Sequence, residues 1–190
     1  MTATFTGAVL CGGSSRRMGR DKATLLVDGE AMAARVARAL HEAGAAAVVA
    51  IGGDPQQLGS LGLDVIPDDE PGGGPLPATI TALRHGPGDV VVVLACDLVH
   101  PSADAVRLLV DRLRSSGPST DAAVPVVAGV HQWTHVAWRR RAVHPLEAAR
   151  DAGTRSLRGS AGHLTIRAVD DLGAADVADA DDPFDLPGAR

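Results

Sequence analysis

The run Val90-Val91-Val92-Val93-Leu94-Ala95 does most to limit what this chain can become. Six consecutive apolar residues, four of them β-branched, leave no polar face for water, so as a strand they need cover on both sides. The run therefore predicts a central strand with helices packed above and below it. It stops abruptly at Cys96-Asp97. A carboxylate just past a buried central strand sits at the sheet edge, partly desolvated, where a divalent cation is a natural partner. An ordinary turn or capping aspartate is the plain alternative.

The rest of the first half repeats this theme. Apolar runs at 6–11, 45–51 and 63–66 end at Gly12-Gly13, Gly52-Gly53 and Pro67-Asp68-Asp69, and read as further strands. A short extended piece at 23–27 closes on the turn Asp28-Gly29. Met32, Val36 and Leu40 form one stripe of a helix over 31–43, with Gly44 as its C-terminal cap. The prolines of Pro71-Gly72-Gly73-Gly74-Pro75-Leu76-Pro77 suit the first turn of a helix reaching Arg84. Ser102 opens an amphipathic helix bearing Val106, Leu109, Val110 and Leu113, which stops at Gly117-Pro118. The second half is less regular: strands at 122–127, 135–138 and 164–169, a helix at 145–152 and a short one at 154–159. This alternation predicts a doubly wound α/β sheet in a single domain of 190 residues. Ligands in such sheets bind beyond the carboxyl ends of the strands, which places Gly12, Gly52, Asp68 and Asp97 on one edge.

Composition narrows the partners. A formal net charge of -5, with two Trp, two Phe and no Tyr, argues against nucleic acid. Cys11 and Cys96 are too few for a disulfide framework; they end neighbouring strands and read as small buried apolar residues. No apolar run has the length of a membrane span and the N-terminus is no signal peptide, so the expected location is the cytoplasm. His131, His135 and His144 make no metal set, and read as solvated or hydrogen-bonded residues.

The loop Gly12-Gly13-Ser14-Ser15-Arg16-Arg17-Met18-Gly19-Arg20-Asp21-Lys22 carries the chemistry. Of 18 Lys+Arg, Lys22 is the only lysine, so the one compact ammonium sits after the first strand. The spacing lacks the Gly-Lys-[Ser/Thr] step of a P-loop and the Gly-x-Gly-x-x-Gly dinucleotide fingerprint. Glycines flanked by fixed positive charge point to a nucleoside triphosphate cradle, against a surface loop with incidental cations. Asp68 and Asp69 are weaker metal candidates, or one of them holds the ribose hydroxyls or the base; an ordinary turn is the plain alternative. The aspartate-rich tail from Asp170 is a solvated terminus or, at Asp179 or Asp181, a second metal carboxylate.

From Leu10 to Lys22 the chain resembles the signature Leu-Ala-Gly-Gly-x-Ser-x-Arg-Met-Gly-x-Asp-Lys of molybdenum cofactor guanylyltransferases, within the nucleotidyltransferase superfamily. Gly74-Pro75-Leu76, Cys96-Asp97 and Asp179-Ala180-Asp181-Asp182-Pro183 extend the resemblance along nearly the whole chain. It implies a three-layer α/β/α Rossmann-like fold with a mostly parallel central sheet. Residues up to about 117 would form the nucleotide-binding half and 118–190 the acceptor-binding half. Leu10, Cys11, Gly12 and Gly13 would contact the nucleotide, Asp68 the nucleoside, Lys22 and Arg17 the phosphates. Asp97, with Asp181, would hold Mg2+. The implied substrates are GTP and molybdenum-molybdopterin, the implied protein partners molybdenum-insertion proteins and molybdoenzyme chaperones; no nucleic acid or membrane is involved. Cys11, Asp54, Pro77-Ala78, Val99 and Trp133 depart from the family's usual residues. Cytidylyl transfer to the same cofactor, transfer to a sugar phosphate, and nucleotide or cofactor binding without catalysis stand as alternatives. Gly12-Gly13 favours guanine over cytosine, whose enzymes tend to read Leu-Ala-Ala-Gly in this loop.

Overall fold

The valine run is β6 (Val90–Ala95), buried along almost its whole length in the interior of the main sheet. The computed structural model describes residues 5–12 and 21–180. Three further strands run parallel to β6: β1 (Phe5–Leu10), β4 (Ala45–Ile51) and β5 (Asp64–Ile66). Between β1 and β4, the small hairpin of β2 (Leu26–Val27) and β3 (Glu30–Ala31) leads into α1 (Met32–Glu42). The hairpin turns at Asp28-Gly29, as the sequence predicts, but the extended piece begins only after a 3-10 turn over Lys22–Thr24.

A helix the sequence did not reveal, α2 (Pro55–Ser60), follows β4. Asp54 caps it, accepting from the backbone N–H groups of Gln56 and Gln57 at 2.8 and 3.0 Å. Those bonds, chiefly the one from Gln57, lower the Asp54 carboxyl below its usual range. Next come α3 (Pro75–His85) and α4 (Ala103–Ser115), the latter capped by Ser102 Oγ as expected.

Beyond α4 the direction changes. β7 (Ala122–Val127) folds back through β8 (Val130–His131) to β9 (His135–Arg139), which is antiparallel to both β6 and β7. Then α5 (Val143–Asp151) leads to β10 (Ile166–Val169), which pairs parallel with β7. The main path is β10-β7-β9-β6-β1-β4-β5, mostly parallel with β9 reversed inside it. The short helix expected at 154–159 lies later, as a 3-10 turn over Gly159–His163. Helix α5 ends with Gly153 at φ +94 and the Thr154 N–H returning to the Ala149 carbonyl, so the α-helix does not continue into Thr154.

The sheet separates two apolar layers. Val36, Leu40, Leu109 and Leu113 of α1 and α4 cover one face; Leu76, Leu83 and Leu146 of α3 and α5 cover the other. This is the α/β/α arrangement that an apolar central strand requires.

Candidate active site

Parallel β5, β4, β1 and β6 bring their carboxyl ends to one edge, and the residues expected there are found together. Backbone N–H groups of Cys11 and Gly12 both donate to the Ile51 carbonyl, at 2.9 and 3.1 Å. Gly52 closes the turn after β4 at φ +70, and a Cβ there would come 3.1 Å from the Gly12 Cα. Only glycine allows these two turns to approach so closely. Asp68, following β5, faces the same point: its Oδ2 lies 3.5 Å from where a Gly12 Cβ would stand. Its Oδ1 accepts from the Glu70 N–H at 3.1 Å, which fixes its rotamer. The adjacent Asp69 instead pairs with Arg84 at 2.8 Å. That hydrogen bond lowers the Asp69 carboxyl, leaving Asp68 as the member of the pair that borders the cleft.

Two connected hollows run along this edge and share Cys11, Gly12 and Asp21. One, of about 380 Å³, lies over β4 and β5 and is bounded by Asp68, Gly52 and Gly72. The other, of about 290 Å³, lies over β1 and β6 and is bounded by Leu10, Lys22, Asp97 and Asp179. Pro75 and Ala78 of α3 form part of its wall. Gly74 gives that helix no side-chain cap, so its positive end adds to the field favouring an anion.

Lys22 is placed by Asp21, whose Oδ1 accepts from the Ala23 N–H at 3.0 Å and starts the 3-10 turn. The Lys22 ammonium donates to Asp97 Oδ2 at 2.8 Å and to the Ala180 carbonyl at 2.6 Å. Both side chains are less than one-fifth exposed, so water screens the pair only partly. A strap of tail backbone completes the wall. Leu98 and Asp179 form an antiparallel bridge, Ala180 N–H donates to the Asp97 carbonyl, and Val99 N–H donates to the Ala178 carbonyl. The strap brings the Asp179 carboxylate into the same hollow as Asp97 and Lys22.

One contributor escaped sequence reasoning. His135, at the start of β9, is buried, with Nε2 3.1 Å from Asp179 Oδ1 but without an aligned hydrogen bond. Its only sequence signal was a histidine opening a strand, which does not reveal a partner 44 residues later. The thiols of Cys11 and Cys96 also meet. Their hydrogen bond, then burial, pushes the Cys96 thiol well above its ordinary value, so it remains neutral near pH 7.

Among the described residues no group of three His, Cys, Asp or Glu side chains could hold a metal unaided. The carboxylates of Asp97 and Asp179 instead offer hard oxygen donors beside a phosphate-favouring helix end. That fits magnesium, which takes one or two carboxylates and completes its shell with phosphate and water. Gly13, Arg17 and Asp181 lie outside the described residues.

A family model described as MobA-like NTP transferase domain matches residues 7–165. The molybdenum cofactor guanylyltransferase of Rhodobacter capsulatus is 34% identical over 149 residues, which is 76% of this chain and 73% of that one. Its counterpart in Rhizobium meliloti is 39% identical over 114 residues, 56% of this chain and 52% of the relative. With the Rhizobium protein and two other curated relatives, the match spans only 41% to 56% of the relative's length. In fold, the chain is similar to the crystal structure of molybdopterin-guanine dinucleotide biosynthesis protein A from Archaeoglobus fulgidus. The TM-score is 0.75 at 22% identity, over 95% of this chain and 94% of the other.

Proposed function

This chain belongs to the MobA-like NTP transferase family, and from that premise we propose that it transfers GMP from Mg-GTP to molybdenum-molybdopterin. The terminal phosphate oxygen of the acceptor attacks the α-phosphorus of GTP. The bond from that phosphorus to the bridging oxygen breaks, pyrophosphate leaves, and a guanine dinucleotide cofactor forms. The attacking phosphate is already ionised, so no general base is needed.

The observation that carries this reading is the meeting of Lys22, Asp97 and Asp179 in one hollow at the carboxyl edge. Transfer of this kind depends on positioning and charge neutralisation more than on covalent chemistry by the protein. Lys22 supplies a fixed positive charge for the phosphates. The turns at Gly12 and Gly52 let the nucleotide approach backbone, and Asp68 accepts hydrogen bonds from the nucleoside. Asp97 and Asp179 would hold Mg2+, which when bound neutralises phosphate charge. In this proposal Gly13 contacts the nucleotide, Arg17 binds the phosphates and Asp181 is a further carboxylate for Mg2+.

The whole chain acts in this proposal as one domain, with residues up to about 117 on the nucleotide side and 118–190 on the acceptor side. No helix among the described residues is long and apolar enough to cross a membrane. Both cysteines are free thiols, which suits a cytoplasmic site of action. Molybdenum-insertion proteins would supply the acceptor, and molybdoenzyme chaperones would receive the product.

The test is pyrophosphate release from GTP and CTP, separately and in competition, on adding molybdenum-loaded molybdopterin with magnesium. GTP should be the preferred donor. Turnover with CTP alone would overturn the guanine assignment. Release with hexose 1-phosphates but not molybdopterin would overturn the acceptor, and nucleotide binding without any release would make the protein a carrier.

A further inference from the structure

Between β5 and α3 the chain crosses the rim of the hollow over β4 and β5 as the loop 67–74, and nothing apolar anchors it. None of its residues is buried. Gly72 and Gly74 take φ values of +82 and +85, and a Cβ on either would meet no more distant part of the chain within 4 Å. Three consecutive glycines give such a segment many conformations to lose on ordering. Its shape therefore comes from polar ties, and these converge on Asp69 and Glu70.

Asp69 Oδ2 accepts from Arg84 Nη1 at 2.8 Å, and the same guanidinium donates through Nε to Glu147 Oε1 at 2.7 Å. Glu70 Oε1 accepts from Arg150 Nη1 at 2.8 Å. Arg84 belongs to the last turn of α3, whereas Glu147 and Arg150 stand about one turn apart on α5. Two neighbouring loop carboxylates are thus each taken by one arginine, and both lines of contact reach α5. Asp151 orients Arg150 further, its Oδ1 accepting from Nε and Nη2 at 3.1 and 3.0 Å. A single exposed ion pair adds little to global stability. The effect here is directional: the Glu70 N–H donates to Asp68 Oδ1, so where Glu70 is held decides where Asp68 points. Neither arginine borders the hollow itself.

We propose that Arg84 and Arg150 are positioning residues for the nucleotide: by holding Asp69 and Glu70 they fix the loop so that Asp68 meets the nucleoside. This rests on the reading of that hollow as the nucleoside site. It adds that helix α5, far along the sequence, sets the geometry of the donor pocket through a pair of arginine bridges.

The test compares wild type with Arg84→Ala, Arg150→Ala, the double variant, and Arg150→Lys. Backbone hydrogen exchange is followed in peptides spanning 67–74, and calorimetry gives the affinities for Mg-GTP and for magnesium tripolyphosphate, which has the phosphates without the nucleoside. Each alanine variant should speed exchange in the loop while β4 and β6 keep their protection. Each should weaken Mg-GTP about two- to fivefold, the range of one surface ion pair, and the double variant about tenfold. Arg150→Lys should recover most of the affinity, because one N–H suffices for Glu70. In pyrophosphate release, KM for GTP should rise with kcat little changed. Tripolyphosphate affinity should stay at the wild-type level, and in an Asp68→Ala background the arginine substitutions should cost nothing more.

Unchanged Mg-GTP affinity in the double variant, equal weakening of GTP and tripolyphosphate, or full additivity with Asp68→Ala would each overturn the proposal. Failure of the functional reading is distinguishable. A wild type that binds Mg-GTP yet releases no pyrophosphate on adding molybdopterin overturns that reading alone, and the affinities still decide the role of the arginines.

Discussion

Lys22 is the residue on which the proposed chemistry turns, and its pairing defines what its removal should do. Lys22→Ala is expected to lower the rate of pyrophosphate release by about a hundredfold or more, as for loss of one transition-state charge contact. Lys22→Arg should restore only part of it, because a planar fork does not reproduce an ammonium held between a carboxylate and a carbonyl. Near-normal turnover in the alanine variant would remove Lys22 from the mechanism. Asp97→Ala should abolish the response of activity to magnesium; an unchanged magnesium titration would place the metal elsewhere. Cys96 gives a different kind of prediction. Its thiol ionises in the unfolded chain as pH rises past about 9 but is held neutral in the fold. The folded state therefore binds more protons there, and stability falls with rising pH. The urea midpoint of the wild type should drop between pH 8 and 10 more steeply than that of Cys96→Ala. Parallel declines would show that the Cys96 thiol does not couple to unfolding.

Elements set how tightly this site is framed. Helix α1 lies so close to β1 that a Cβ on Gly7 would come 2.9 Å from Leu40 Cδ1. Gly7→Val should therefore destabilise the protein by about 1–3 kcal/mol, as overpacking does, read from urea unfolding. On the other side of the site, His135 of β9 faces Asp179 of the tail strap, its Nε2 lying 3.1 Å from Oδ1. His135→Leu should raise the magnesium concentration needed for half-maximal release, while His135→Gln, which keeps a nitrogen facing Asp179, should retain more of the wild-type response. An unchanged requirement in both would mean that the backbone bridge to Leu98 alone positions the carboxylate. The elements also show where sequence reading succeeds. The 90–95 run, the Met32-Val36-Leu40 stripe and the Ser102 cap are local signals, and each element formed where its signal lay. Helix α2 did not announce itself, because six residues with Leu58 as their only buried side chain carry no periodicity. Lys22, Asp97 and Asp68 were legible because each follows a strand or a strand-ending loop. The pairing of His135 with Asp179 was not, because a contact between distant turns leaves no repeat in the chain.

The sheet as a whole explains why the residues of the proposed reaction sit where they do. Parallel β5, β4, β1 and β6 gather the residues proposed to bind the nucleotide at their carboxyl ends, while reversed β9 delivers Thr134 to that edge. The two apolar layers meet the sheet on opposite faces, so a large cut in either should be felt globally. Trp138→Ala, which empties a fully buried position, should cost about 3–5 kcal/mol by urea denaturation. A smaller loss would mean that neighbouring side chains collapse into the space. The order of strands has a further outcome during synthesis. Of the described strands, β1 leaves the ribosome first, yet its neighbours are β4 and β6, the latter ending at residue 95. At about 5–20 residues per second, this nascent strand must wait several seconds with one edge unpaired. Chains stalled before residue 95 should remain open to protease, and those carrying β9 as well should become resistant. The first of the described strands to be translated is thus a late one to be sealed, and the residues that would handle the nucleotide come together only once Asp179 has been added.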